Sequence, residues 1–281
     1  MTATSPTTIG TPVTSAFFDS IPFNWDDLRL RDIHVCLDYD GTLTPIVNDP
    51  ACAFISGDMI SAVSRVADML PVSIVTGRGR QCISNFLGAE LLSKISLAAS
   101  HGFDIHLRDG EYRHTGENGD LREFEAFKFV LRSAISEFPE GCAIEENKYS
   151  VTVHYRNAKE SDHGLVSEKL DSLLMKYPRL VRKTGKMVFE VRLGTDWNKG
   201  KAVDWILTRT HPDPYNCFVI YIGDDVTDED AFCTLNEKYP YHLSIVVAGD
   251  NSLTRPTLAD YRMRDQSEVL KFLLKLIDVR K

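Results

Sequence analysis

The chain reads as an α/β protein: a doubly wound parallel sheet forms a core, and a smaller α+β layer is inserted into it. Strand-like runs at His34–Leu37, Val72–Thr76, Ser96–Ala99, Phe218–Ile222 and Ser244–Ala248 are short and β-branched or apolar, as suits strands buried on both faces. Helical stripes separate several of them, the pattern of a sheet wrapped by crossover helices. Residues 104–194 instead alternate strand pairs with two helices, which implies a largely antiparallel layer. Together these predict a Rossmann-like core with an inserted α+β cap.

The elements follow in order. Residues 1–20, rich in Ser, Thr and Pro, are expected to be flexible. Residues 21–103 form the first part of the core. There Ser56 caps a helix with a stripe of Ile60, Val63, Ala67 and Leu70, and a second helix after Gly79 carries Ile83, Phe86 and Leu87 before a stop at Gly88. The cap, 104–194, opens with a hairpin, Asp104–Leu107 and Glu111–His114, around Arg108-Asp109-Gly110. A helix with Leu121, Phe124, Leu131, Ile135 and Phe138 follows, then strands at Ala143–Glu146 and Tyr149–Arg156. A helix through Leu170, Leu173 and Leu174 and a strand pair around Thr184-Gly185 complete the cap. Residues 195–281 return to the core and end in a helix with Leu270, Leu273, Leu274 and Ile277.

Composition narrows the function. With 43% apolar and 26% charged residues the chain is of ordinary globular type. A net charge of −8 argues against nucleic acid as a partner, because phosphate neutralisation needs clustered Lys and Arg. The six cysteines are scattered without a C-x-x-C pair, consistent with reduced thiols in a cytoplasmic protein. No stretch has the length of a membrane span, and the N-terminus lacks the charge and apolar block of a secretory signal.

The chemistry gathers where strands end. In VCLDYDGTLTPIVN (Val35–Asn48) an apolar strand stops at two aspartates two apart, Asp38 and Asp40. Same-side carboxylates at a strand end are costly to desolvate unless a cation or protons compensate, so the pair points to a metal ion or a phosphate. SIVTGR ends a second strand at Thr76, whose hydroxyl and N–H can meet a phosphate, followed by Gly77 and Arg78. Asn198-Lys199-Gly200-Lys201 opens a helix, and Lys199 rather than Lys201 is expected to neutralise phosphoryl oxygens. YIGDDVTDEDAF (Tyr221–Phe232) ends a further strand in Asp224, Asp225 and Asp228. Oxygen donors from two strand ends suit Mg²⁺. Glu229 and Asp230 fit as ordinary first-turn helix residues.

Four such motifs in this order resemble the magnesium-dependent phosphatases of the haloacid dehalogenase superfamily. LDYDGTLTPI, SHGFD, ENKYSVTVHYR, GKMVFEVRLGTDWNKGKA and GDDVTDEDAF together resemble the trehalose-6-phosphate phosphatases, from about Val35 to Phe232. One departure is Leu193, where the family usually has proline. The resemblance implies Asp38 as nucleophile and Asp40 as acid and base. Thr76 and Lys199 would hold the phosphoryl group. Asp38, the backbone carbonyl of Asp40, and Asp224 would hold Mg²⁺, with Asp225 and Asp228 ordering its surroundings.

The resemblance also implies that Glu145, Arg156, Lys186 and Glu190 contact a disaccharide, with Asn147 and Lys148 beside them, Arg78 near the phosphate and His101 in support. The alternation agrees: Ser150, Thr152, His154 and Arg156 share one face, and Lys186, Val188, Glu190 and Arg192 oppose Met187, Phe189, Val191 and Leu193. The implied substrate is trehalose 6-phosphate, and association with a trehalose-6-phosphate synthase is compatible with it. Two alternatives stay open: a capped phosphatase for another sugar phosphate, and an inactive regulatory subunit of a trehalose-synthesising complex.

Overall fold

The computed structural model describes residues 25, 28, 31–47, 49–112, 118–185, 187–211, 213, 215–248 and 256–281. The segment expected to be flexible, 1–20, and Lys186 lie outside the described residues. The chain divides into two units, Met1–Arg113 with Trp197–Lys281, and His114–Asp196.

The first unit begins with β1 (Asp32–Leu37), α1 (Gly57–Met69), β2 (Val72–Val75), α2 (Arg80–Leu92), β3 (Ser96–Ala99), β4 (Asp104–Leu107) and β5 (Gly110–Tyr112). The second holds α3 (Asn118–Ala134), β6 (Ala143–Glu146), β7 (Ser150–His154), α4 (His163–Leu174), β8 (Leu180–Gly185) and β9 (Val188–Leu193). The chain returns to the first unit with α5 (Lys199–Thr210), β10 (Cys217–Gly223), α6 (Glu229–Lys238), β11 (His242–Val247), β12 (Tyr261–Met263) and α7 (Gln266–Arg280).

The core sheet has the order β12-β11-β10-β1-β2-β3-β4-β5, parallel from β12 to β3. Alternation along each strand sends side chains into two separate cores. Ile33, Val35 and Leu37 of β1, with Ile220 and Ile222 of β10, pack with α1, α2 and α7. Cys36, Val219 and Tyr221 pack on the opposite face with α5 and α6. Both faces are therefore dry, which is why these strands read as unbroken apolar runs. Ser56 caps α1 as expected, its Oγ accepting from the Met59 N–H at 3.2 Å. From β1 the chain moves outward to β2 and β3; from β10 it moves the other way to β11 and β12. The crevice beyond the carboxyl ends of β1 and β10 is thus a topological switch point, where open α/β sheets bind ligands.

Two details differ from the sequence reading. The hairpin assigned to the cap extends the core sheet: β4 pairs antiparallel with β3 through Leu97↔His106 and Ala99↔Asp104. Its Ile105 is fully buried in the core, and that apolar anchor outweighs the change in strand direction. Gly88 takes φ +73 and interrupts α2, but the helical run resumes to Leu92 rather than stopping.

In the second unit four antiparallel strands run in the order β6-β7-β9-β8. Val151, Val153, Phe189, Val191 and Leu193 face α3 and α4 through Phe124, Phe127, Leu131, Val166 and Leu170. Each such side chain contributes roughly 1.5–3 kcal/mol by burial. The alternation expected for β7 and β9 holds between buried and part-exposed positions. Met187 departs from it. It precedes the first residue of β9, at φ +63 and exposed, so it does not join the apolar face.

Candidate active site

The loop after β1 is wound tightly around Tyr39, whose carbonyl accepts from the N–H groups of Leu43 at 2.8 Å and Thr44 at 3.1 Å. Asp38 extends the sheet pairing by one residue, donating its N–H to the Ile222 carbonyl at 2.9 Å. Its carboxylate is therefore held rigidly beside β10. Gly41 lies at φ +73, and a Cβ there would fall 1.9 Å from Asp224 Oδ2. Only glycine lets the two acidic loops approach this closely. Gln266, the first residue of α7, donates its side-chain N–H to the Gly41 carbonyl and ties the loop to the last helix.

Lys199 opens α5, whose N-cap Asn198 accepts from the Lys201 N–H at 2.9 Å. That cap sets the register the sequence left to decide, and Lys199 is the lysine turned inward. Its Nζ lies 3.0 Å from Asp38 Oδ1 and 2.8 Å from Asp228 Oδ1, with all three side chains nearly inaccessible. Asp228 is saturated. Oδ1 also accepts from the Tyr221 hydroxyl at 2.6 Å, while Oδ2 accepts from the N–H groups of Asp224 at 3.1 Å and Asp225 at 2.9 Å. Asp228 therefore builds the corner and holds Lys199 against Asp38.

Oxygen atoms of Asp38, Asp224 and Asp228 fall within 4.8 Å of one another, the one acidic cluster of metal-binding type among the described residues. Burial pushes the Asp224 carboxyl up to about 9, and the charges of Asp38, Asp228 and Asp225 add to that. Burial likewise raises Asp38, although Lys199 opposes it. Burial alone would lower Lys199, but Asp228 and Asp38 outweigh it and keep the ammonium charged. Three carboxylates thus share one ammonium, and that excess of negative charge fits a divalent cation with a preference for oxygen donors. Asp225 lies outside the cluster: its side chain is exposed and accepts from the Val226 N–H at 2.6 Å, capping the short turn that carries Asp228. Asp40 also lies outside it by its side chain.

Thr76 directly follows β2, buried, and its hydroxyl oxygen accepts from the Arg78 N–H at 3.2 Å, leaving the O–H to donate. The turn is pinned from the short turn after β3, where Ser100 N–H meets the Arg78 carbonyl and His101 N–H meets the Thr76 carbonyl, both at 2.8 Å. The His101 ring lies over Gly77, where a Cβ would come 2.8 Å from it. The His101 ring thus packs against the turn that follows β2. Arg78 does something the sequence did not suggest. Its Nε and Nη2 each donate to Asp40 at 2.7 Å, one to each carboxylate oxygen.

The residues read as sugar contacts all belong to the second unit. Glu145, Thr152, Glu190 and Lys183 stand abreast across its four strands. Glu145 accepts from Asn147 Nδ2 at 3.4 Å and lies 3.0 Å from His154 Nε2. Lys148 carries its ammonium over the Tyr149 ring at 5.1 Å. Arg156 falls in the exposed turn after β7. Lys186 lies outside the described residues.

Sequence reasoning missed Tyr221 and Gln266 and gave Arg78 a different partner. Tyr221 was readable in principle, since it sits two residues before Gly223 on the face of β10 that also carries Val219. Gln266 carries no local signal, because its target is 225 residues away in the chain. Glu229, read as a first-turn residue, accepts from the Leu258 N–H at 2.8 Å and has a structural role.

A family model described as trehalose-phosphatase matches residues 36–267. A trehalose 6-phosphate phosphatase of Zea mays is 36% identical over 259 residues, covering 88% of this chain and 70% of that protein. Among solved structures, the trehalose-6-phosphate phosphatase of Aspergillus fumigatus aligns with a TM-score of 0.65 at 25% identity, over 90% of this chain and 96% of that one. A haloalkanoate-superfamily phosphatase from Bacteroides thetaiotaomicron shares the fold, with a TM-score of 0.56 at 15% identity over 89% of this chain and 96% of its own. The match spans every motif from the Asp38 loop to the Asp228 corner, and the chain belongs to the trehalose-phosphatase family.

Proposed function

We propose that this chain hydrolyses trehalose 6-phosphate to trehalose and phosphate through an aspartyl phosphate on Asp38. The observation that carries the reading is Lys199, buried and bridging Asp38 to Asp228 at the switch point of the sheet. A carboxylate oxygen of Asp38 attacks phosphorus, the bond from phosphorus to the sugar oxygen breaks, and Asp40 supplies the proton that oxygen needs. Asp40 then takes a proton from water as the water oxygen attacks the acyl phosphate. The bond from phosphorus to Asp38 breaks and phosphate leaves. Thr76 and Lys199 hold the phosphoryl oxygens throughout. Retention of Asp38, Asp40, Lys199 and Asp224 weighs against an inactive regulatory subunit.

The donor set suits Mg²⁺, with Asp38, the Asp40 carbonyl and Asp224 to hold it and Asp225 and Asp228 ordering what surrounds them. When bound, the ion would offset the repulsion between the Asp38 carboxylate and the phosphoryl oxygens. On the same reading Glu145 and Glu190, with Asn147, Lys148, Arg156 and Lys186, recognise the disaccharide. The family carries the substrate, and a synthase partner is a further part of the proposal. So is a cytoplasmic location, supported by six cysteines that all stand free; among the described residues no helix is long and apolar enough to cross a membrane.

The test is phosphate release from trehalose 6-phosphate beside sucrose 6-phosphate and glucose 6-phosphate. Trehalose 6-phosphate should be strongly preferred, EDTA should silence the enzyme and Mg²⁺ should restore it. Asp38→Asn should abolish turnover, by about 10⁴-fold or more, while leaving the fold intact. Equal rates on all three esters would overturn the substrate, full activity in EDTA the metal, and near-normal turnover by Asp38→Asn the covalent route.

A further inference from the structure

Both oxygens of the Asp40 carboxylate are engaged by a single guanidinium. Arg78 Nε donates to Oδ2 and Nη2 to Oδ1, each at 2.7 Å. The pair is bidentate, a geometry that fixes the orientation of a carboxylate as well as its place. Arg78 is itself held on several sides. Its guanidinium carbon lies 5.6 Å from the Tyr39 ring centroid and 5.0 Å from that of Phe86, and Nη1 donates to Cys82 Sγ at 3.4 Å. Phe86 in turn stacks on Tyr39 at 5.9 Å and meets Phe54 edge-on at 5.2 Å. The Arg78 side chain is only 11% exposed, against 40% for Asp40. The arginine is thus the fixed partner and the aspartate the movable one. Arg78 also stands two residues past Thr76, in a turn locked by Ser100 and His101.

This arrangement has a consequence for proton transfer. Each oxygen keeps a second lone pair, but while both accept from Arg78 the fork fixes the orientation of the carboxylate, so one of the two bonds opens when Asp40 turns toward a leaving group. The other can persist. We propose that Arg78 is a positioning residue for the acid: it parks Asp40 through both oxygens in the free enzyme, and during turnover it keeps one oxygen while the other meets the sugar oxygen. The inference rests on the reading of Asp40 as the acid. It gives Arg78 a part other than substrate contact alone, and it links the phosphate turn to the group that serves the leaving oxygen.

The experiment compares esters that need an acid with one that does not. Rates are measured on trehalose 6-phosphate, a simple alkyl phosphate, phenyl phosphate and p-nitrophenyl phosphate for the wild type, Asp40→Asn, Arg78→Met, Arg78→Lys and the double variant Asp40→Asn/Arg78→Met. p-Nitrophenolate leaves without a proton, so its ester also serves as the control for folding. Arg78→Met should lose on the order of 30-fold or more in kcat/KM, which excludes the later hydrolysis of the acyl phosphate common to all the esters, on trehalose 6-phosphate and the alkyl ester, and several-fold less on the p-nitrophenyl ester. Arg78→Lys keeps the charge but not the fork, and should show the same graded loss. On the alkyl ester the double variant should be no slower than Asp40→Asn alone, because both changes remove the same proton transfer. A uniform loss across all esters for Arg78→Met, or full recovery by Arg78→Lys, beside a graded loss for Asp40→Asn, would overturn the positioning role and leave Arg78 as a phosphate contact or a structural residue. A uniform loss for Asp40→Asn as well would remove the acid itself, and the proposal with it.

Discussion

The two units treat polar side chains in opposite ways. In the first, Lys199, Asp38 and Asp228 are almost wholly removed from water and satisfy one another at 2.8–3.0 Å. In the second, the polar face is wet: Glu145 and His154 pair at 3.0 Å with side chains 57% and 37% exposed. Arg132 and Glu146 pair at 2.7 Å, also partly in solvent. Buried charges cost several kcal/mol each unless fully paired, whereas exposed ones are cheap and bind weakly. The contrast follows the division of work in the proposed function. Chemistry on phosphorus needs charges fixed before the substrate arrives, in a site that need not reorganise. Sugar recognition needs donors and acceptors that can exchange water for hydroxyls.

The largest effect should come from cutting one member of each kind of pair. Lys199→Met leaves Asp38 and Asp228 buried beside Asp224 without their cation, and should cost about 3–5 kcal/mol of stability and nearly all activity. Arg132→Met removes an exposed partner and should leave the urea midpoint almost unmoved. Similar shifts in the two variants, read by urea denaturation, would break the comparison.

A second buried polar chain sharpens it at the opposite end of the core sheet. His34, fully enclosed, has Nε2 2.8 Å from Ser73 Oγ and Nδ1 3.1 Å from His211 Nε2, while His211 Nδ1 lies 3.0 Å from Asp32 Oδ2. Burial, and then His211, lower the His34 pKa from 6.5 to about 3. The folded state therefore keeps this ring neutral where the unfolded chain takes up a proton. Its contribution is whole above about pH 6.5 and is lost as pH falls toward 3. Relative to His34→Asn, the wild type should lose about 1.4 kcal/mol per pH unit over that window. A difference that stays flat from pH 7 to about 4.5 would mean that the ring is charged in the fold or reached by water.

Much of this was legible in the residues. Asp38 and Asp224 could be read because a buried apolar strand that stops at an acidic residue has few bland explanations, whereas Lys199 was one of two lysines at a helix start until the Asn198 cap set the register. Strand alternation foretold the faces of β7 and β9 for the same reason: one side had to be dry. The hairpin at 104–112 was misplaced because an antiparallel strand can edge either sheet, and only packing of Ile105 decides. The bidentate partner of Asp40 was invisible, since a distance of 38 residues in sequence says nothing about which carboxylate a guanidinium will find. Periodicity reports burial; long-range polar pairing it does not report.

The central claim is that the first unit performs the chemistry and the second reads the sugar. Glu190 tests it most directly, because it stands on the exposed face of β9 between Thr152 and Lys183 and belongs to no part of the acidic cluster. The measurement is kcat/KM of Glu190→Ala on trehalose 6-phosphate and on p-nitrophenyl phosphate, which carries no sugar to contact. The expected result is a loss of about 1–3 kcal/mol on trehalose 6-phosphate, the cost of an unmade polar contact, with a much smaller change on the small ester. Equal losses on both substrates would contradict the claim, for then Glu190 would support the enzyme as a whole and not its choice of sugar.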